Sequence, residues 1–316
     1  MIEALARRSA GLDVHKRTVV CTVLIENAHG HIEKQTREFG TFRKELNKLA
    51  EWLSESEVEI AVMESTGIYW KSVYEALERK EVKAFVVNAR HVKNVPGRKT
   101  DVQDSEWLAE LARCGLLRAS FIPPRDLREL RLLTRYRGKL VGTLKAEKNR
   151  LHKILDGCGI RLGSVVSDID GVSAREMIDA LIEGKKEPYE IVLLARGRLN
   201  KKMPELIEAL DGELSDRHRF LLKQIHSHIK WLEGQVGEIN RQVVAAMKPY
   251  REEWHLLQTI PGIDELCAAM LLAEIGPDMS CFGSKDHLSS WAGMCPGNNE
   301  SAGKKKVVKP DRGMST

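Results

Sequence analysis

Between Leu222 and Val243 the apolar residues Leu222, Ile225, Ile229, Leu232, Val236, Ile239 and Val243 recur in steps of three and four without a break. A stretch with that period forms a long helix with one apolar seam, and a second helix must cover the seam to keep it from water. From Asp126 to Leu155 a similar spacing runs through Leu130, Leu133, Leu140, Leu144, Leu151 and Ile154, interrupted by the charged Arg137 and Glu147. Together they read as a coiled-coil signature. Two such helices pair within one chain or between copies, and the pattern fits both; self-association as a dimer or tetramer is the expectation. The connecting residues, about 158 to 212, read as mixed helix and loop with no assignable chemistry.

The preceding residues carry a different period. AGLDV and TVVCTVLIEN read as two strands, HGHIEKQTREFGT as a third, and FRKELNKLAEWLSES as a helix with Leu46, Leu49, Trp52 and Leu53 on one face. EIAVMES then reads as a strand, GIYWKSVYEALERK as a helix, VKAFVVNA as a strand and DVQDSEWLAELARCG as a final helix. Three antiparallel strands followed by alternating helix and strand predict an α/β domain ending near Pro123-Pro124. The fold class is therefore α/β plus α, with an α/β domain over 1–124, a helical region over 125–250 and a small helical C-terminal domain over 251–316. In the last of these, LLQTIPGIDELCAAMLLAEIG sets a Pro-Gly turn between two apolar helical stretches. It reads equally as a plain helical hairpin and as a helix-hairpin-helix module whose backbone amides face a DNA phosphate.

Charge and cysteine content narrow the function. The net charge of the 316 residues is only +5, but Arg125 to Lys153 holds ten Lys or Arg against Asp126, Glu129 and Glu147, an excess of seven positive charges. Such a stripe suits a polyanion, and a solvated helix face is the ordinary alternative. No apolar run approaches the ~20 residues of a membrane span, and MIEALARRSAGLDV has no signal-peptide core, so a cytoplasmic protein without membrane contact is expected. Cys21, Cys114, Cys158, Cys267, Cys281 and Cys295 are scattered without a CxxC pair, which argues for reduced thiols rather than a zinc site or a disulfide framework.

Acidic residues stand where an α/β domain concentrates its chemistry. Asp13 ends the first strand in GLDVH and Glu64 ends the fourth in VMEST, so both point to the crevice at the ends of central strands. RKTDVQDSEWL predicts a helix beginning near Thr100, with Asp101 and Asp104 in its first turn. Locally, such acids stabilise the helix dipole, with Thr100 as N-cap. Joined to Asp13 and Glu64 they form a four-carboxylate set, which repels itself unless a divalent cation sits between its members; all-oxygen donors favour Mg²⁺ or Mn²⁺. The chemistry that fits is metal-dependent phosphoryl transfer with two nearby ions. His15 and Lys16 read as turn residues, and Tyr69 and Trp70 as core aromatics.

Five segments in order, GLDVHKRTVV, VMESTGIYW, RKTDVQDSEWLAEL, LLQTIPGIDELCAAMLLAEIGP and CPGNNESAGK, resemble the DEDD transposases of insertion sequences and the related Piv-type DNA invertases. The resemblance runs from about Gly11 to Lys304. It implies a RuvC-like, ribonuclease-H-type first domain, a coiled-coil middle and a C-terminal transposase domain with a nucleophilic serine. The acidic positions of the family fall on Asp13, Glu64, Asp101 and Asp104, and its serine on Ser301. Also implied are a structured non-coding guide RNA, double-stranded donor and target DNA, and recombination by a homo-oligomer. The chain ends at KPDRGMST, fifteen residues after Ser301, where family members continue with a Gly- and basic-rich stretch and a further helix. A shortened C-terminal domain is the matching expectation. Two alternatives accompany it: a catalytically impaired relative that binds RNA or DNA, and a RuvC-like nuclease whose nucleophile is water.

Overall fold

Strands and helices follow the two periods read above. The computed structural model describes residues 5–65, 67–89, 92, 95, 103–184, 187–294, 300–301 and 304–305, the last four as backbone. The chain divides into one unit of Met1–Ile122 with Ser280–Thr316 and a second of Pro123–Met279.

In the first unit, β1 (Arg8–Val14), β2 (Thr18–Glu26), β3 (Ile32–Gly40), β4 (Ile60–Glu64) and β5 (Ala84–Val87) form one sheet in the order β3-β2-β1-β4-β5. β1 pairs antiparallel with β2 and parallel with β4, so β1 is central and buried on both faces. One face packs on α1 (Arg43–Glu55) and α2 (Trp70–Glu78) through Ala10, Leu12, Val23, Ala61 and Met63, with Leu49, Leu53 and Leu77 opposite. The other face packs on α3 (Asp104–Arg113) through Ile60, Val62 and Val87 against Leu108, Leu111 and Ala112. Trp70 is partly buried and meets Tyr74 edge-on at 6.0 Å, as expected of a core aromatic. No disulfide joins the described cysteines, and burial pushes the Cys21 thiol far up, so it behaves as a small apolar side chain.

The second unit is helical: α4 (Arg125–Gly157), α5 (Leu162–Val165), α6 (Val172–Glu183), α7 (Pro188–Val192), α8 (Met203–Ala209), α9 (Asp216–Ala245), α10 (Arg251–Gln258) and α11 (Glu265–Ile275). α4 and α9 lie antiparallel, since Arg137 Nε donates to Asn240 Oδ1 at 2.6 Å while Lys148 Nζ meets Glu233 Oε1 at 3.1 Å. The seam of α9 is covered from within the chain. Leu222, Ile225 and Ile229 pack with α6 to α8, which come from the connecting segment that reads as mixed helix and loop. Leu232, Ile239 and Val243 pack with Leu127, Leu130 and Leu140 of α4 and with Ala269, Leu272 and Ala273 of α11. No second copy is needed to shield that stripe.

The basic stripe of α4 changes meaning for the same reason. Arg131 Nε donates to the Ala273 carbonyl at 2.7 Å and its Nη2 to the Glu274 carbonyl, satisfying the last turn of α11, while Arg135 binds the Glu274 carboxylate through two nitrogens at 3.1 Å. Lys148 joins Asp170 at 2.5 Å as well as Glu233. Burial lowers the Arg131 pKa, and its side chain is only 15% exposed. These residues hold helices together, whereas Lys139, Lys145 and Lys153 are exposed with no ion-pair partner among the described residues. Arg131→Ala is expected to cost the second unit about 2–3 kcal/mol, because it strands two helix-end carbonyls and part of the Glu274 charge. Lys145→Ala should stay within about 0.5 kcal/mol of wild type. Urea denaturation of both variants checks the pair, and equal midpoints would return Arg131 to the solvated face.

Candidate active site

The geometry of the first unit starts from Gly11. A Cβ built there would lie 2.0 Å from the Ser105 carbonyl oxygen, 2.4 Å from the Ala109 nitrogen and 2.8 Å from Leu108 Cβ. Only glycine lets the backbone of α3 lie directly on β1. Short hydroxyl contacts lock the approach: Ser9 Oγ donates to the Ala109 carbonyl at 3.0 Å, and Thr22 Oγ1 shares a hydrogen bond with Ser105 Oγ at 2.8 Å. Because Ser9 meets residue 109 and Gly11 meets residue 105, α3 runs antiparallel to β1. Its N-terminus therefore lies at the end of the sheet where β1 finishes.

That end gathers the predicted acids. The β1–β4 ladder pairs Gly11 with Val62 and Leu12 with Met63, so the next residues, Asp13 and Glu64, stand side by side on neighbouring parallel strands. Neighbouring strands are about 4.8 Å apart. Alternation puts both on the face that carries Gly11 and Val62, the face covered by α3, and Asp104 is the first residue of that helix. Three of the four acids thus come to one edge of the sheet. Asp13 is 30% exposed, and its Oδ2 lies 3.1 Å from His15 Nε2. Asp101 lies outside the described residues.

One expectation is corrected here. The helix does not begin near Thr100: Gln103 is extended, with φ −60° and ψ 145°, and α3 starts at Asp104. Burial of Ser105, Leu108, Ala109, Leu111 and Ala112 holds α3 on the sheet, and in the preceding RKTDVQ only Val102 is apolar.

Carboxylate oxygens are donors of the kind that suits a hard divalent cation. Among the described residues no three acidic, histidine or cysteine groups are already close enough to hold an ion. The nucleophile candidate Ser301 sits in a two-residue strand, β6 (Glu300–Ser301), paired with β7 (Lys304–Lys305) so that Ser301 faces Lys304. Its side chain, with Ala302 and Gly303, lies outside the described residues. The segment before it is anchored in the first unit by an aromatic trio: Phe121 lies 5.2 Å from Phe282 and 6.1 Å from Trp291 of α12 (Lys285–Trp291).

Residues 10–160 match the profile of the IS110 DEDD transposases, and residues 254–314 match the transposase profile of the IS116/IS110/IS902 family. The chain belongs to the IS110 family of transposases. The transposase is accordingly a DNA-processing enzyme. A solved structure from Thermus thermophilus, RuvC, is similar at 14% identity over 35% of the transposase and 98% of its own chain, with a TM-score of 0.27. No curated protein matches the transposase. None of its described helices is long and apolar enough to cross a membrane.

Two features of the first unit escape a reading by motif. Gly11 is one, although a glycine inside a strand, two residues before an acid, signals a close backbone approach. Phe42 is the other. It stands four residues before Leu46, where helical spacing would bury it, yet α1 begins at Arg43 and Phe42 is 84% exposed.

Proposed function

We propose that this transposase is an RNA-guided DNA recombinase that cuts and rejoins DNA at the sheet edge carrying Asp13 and Glu64. The observation that carries this reading is the β1–β4 register, which sets those two carboxylates next to each other with Asp104 at the start of the helix above. Asp13, Glu64, Asp101 and Asp104 would hold Mg²⁺, with Mn²⁺ as the alternative. A bound divalent ion there lowers the cost of deprotonating an attacking oxygen and of charging a leaving one.

Ser301 is the attacking residue in this reading. Its Oγ bonds to the scissile phosphorus as the bond from phosphorus to the leaving sugar oxygen breaks, and the leaving oxygen takes up a proton. The phosphoserine ester conserves the bond energy until a second strand's hydroxyl displaces the serine. Lys304 pairs with Ser301 along the backbone of the β6–β7 ladder, and its charge would help neutralise the phosphate. The exposed Pro261-Gly262 turn between α10 and α11 would offer backbone amides to a DNA phosphate; Gly262 takes φ +88° there. Donor and target duplexes, a structured non-coding RNA and a dimer or tetramer complete the assembly.

The test is a covalent one. The full chain is incubated in Mg²⁺ with labelled DNA spanning the element's ends and with RNA transcribed from the flanking region, then denatured. A protein–DNA adduct is expected in wild type and absent from Ser301→Ala. An adduct that persists in Ser301→Ala removes the serine from the mechanism, and cleavage without any adduct points to water as nucleophile.

A further inference from the structure

The edge that carries Asp13 and Glu64 also presents a ring and a set of cations that neither the core nor the acidic pair uses. Backbone pairing fixes the order along it. Thr18 pairs with Gly40 and Val14 with Val19, so the chain leaving β3, the His15–Arg17 turn and the chain leaving β4 emerge at the same end of the sheet. Thr41 ties the first two together: its Oγ1 donates to the Lys16 carbonyl at 3.0 Å and its N–H to the Arg17 carbonyl at 3.3 Å. Phe42 follows immediately, 84% exposed. Lys16, Arg17, Arg43 and Lys44 surround it in sequence and in the turn, all exposed and without an ion-pair partner among the described residues. Beyond Glu64, Ile68 and Tyr69 are 64% and 39% exposed.

A phenylalanine held in water at the start of a helix gains nothing for the fold. Four cations with no acid among them favour a polyanion over a protein surface of mixed charge. Cations that neutralise phosphates beside a ring that stacks on a base are the chemistry of single-stranded nucleic acid. A paired duplex closes its base faces, so the ring serves only where a base is unstacked. β3 is two inter-strand spacings from β1, roughly 10 Å, so the chain at Phe42 leaves the same edge of the sheet as the acidic pair, at the start of the helix on the opposite face.

We propose that Phe42, flanked by Lys16, Arg17, Arg43 and Lys44, is a platform on which one unpaired base of a nucleic-acid strand stacks, setting that strand's register at the Asp13–Glu64 edge. This rests on the function proposed above for what happens at the acids; the binding itself does not depend on it. Phe42 touches no reacting atom and is a positioning residue. DNA and RNA strands share the chemistry, and the experiment separates them.

The full chain is titrated in EDTA, where no metal-dependent cleavage occurs, into an oligothymidylate of about 12 nucleotides carrying one 2-aminopurine, a length within the range such sites cover. An oligouridylate and a duplex of the same length run in parallel. Wild type is expected to quench the 2-aminopurine in one or both single strands, the tighter of which names the source, and not in the duplex. Phe42→Ala is expected to weaken binding about tenfold and abolish the quench, Phe42→Trp to restore both, and Phe42→Leu to restore neither. Lys16→Gln with Arg17→Gln should flatten the salt dependence by about 1.4 in log–log slope while the quench at saturation remains. Binding and quench unchanged in Phe42→Ala, or retained in Phe42→Leu, overturn the platform, as does an effect of Phe42→Ala on sedimentation alone, which would mark a protein contact. Strand cleavage in Mg²⁺ is scored separately, so a loss of cleavage with quench intact counts against the recombinase reading and not against this one.

Discussion

Asp13→Asn is expected to reduce strand cleavage in Mg²⁺ by at least about 10³-fold while leaving the thermal midpoint within about 2 °C of wild type. The two readouts separate because of where Asp13 stands. It is one residue past the last ladder pair of β1 and β4, partly exposed, and its contact with His15 is a surface pair worth under about 1 kcal/mol. The substitution keeps the shape of the side chain and removes one of two carboxylates held on adjacent strands. The fold loses almost nothing, and repulsion from Glu64 is relieved. The chemistry loses a charge that would hold the cation and orient the scissile phosphate. Cleavage of labelled DNA, followed alongside a thermal melt, checks the prediction. A variant that cuts within tenfold of wild type would remove Asp13 from the catalytic set.

Gly11→Ala is expected to damage stability and activity together. The added methyl would meet the Ser105 oxygen at 2.0 Å and the Ala109 nitrogen at 2.4 Å, and both are backbone atoms of α3 that no rotamer change can move. The helix must lift from the sheet. That lengthens the Thr22–Ser105 and Ser9–Ala109 hydrogen bonds and displaces Asp104 relative to Asp13 and Glu64. A cost of about 3 kcal/mol or more follows from overpacking, with a fall in thermal midpoint of at least about 5 °C. Misplacing a catalytic group by about 1 Å costs on the order of 10² in rate, so cleavage at a temperature where the variant is still folded should drop by that factor. Gly138→Ala is the control: a Cβ there meets nothing within 4 Å, and alanine inside a helix should add up to about 1 kcal/mol of stability. Wild-type melting and cleavage in Gly11→Ala would show that α3 is not seated as described.

Much of the site was legible because its parts are local. The apolar run before Asp13 and the one before Glu64 identify strand ends, and strand ends in an α/β sheet are where ligands bind. In sequence the start of α3 falls near Thr100, because a threonine followed by acids supplies local capping chemistry, whereas the residues that the sheet buries begin at Ser105. Phe42 is concealed in sequence because it falls on the apolar spacing of α1 but lies one residue outside the helix. In sequence the basic stripe of α4 fits both a polyanion surface and a solvated helix face, and neither reading tells which of its cations the fold takes up. Arg131 and Arg135 are spent on α11, more than 130 residues further along the chain, and nothing near them in sequence announces that.

By itself the sequence determined the five sheet strands, the two long helices, the family motifs and the residue types proposed for the site, because helical and strand periods are written in consecutive residues and each segment must bury its own apolar face. The tertiary structure alone decided which groups meet. The register of β1 on β4 makes neighbours of Asp13 and Glu64, the glycine at position 11 lets α3 press onto the strand, and α6 to α8 together with α4 and α11 close the seam of α9 inside the chain. Those contacts join residues tens to more than a hundred positions apart. Their energies depend on packing and desolvation at the point of contact, and no local pattern carries that information.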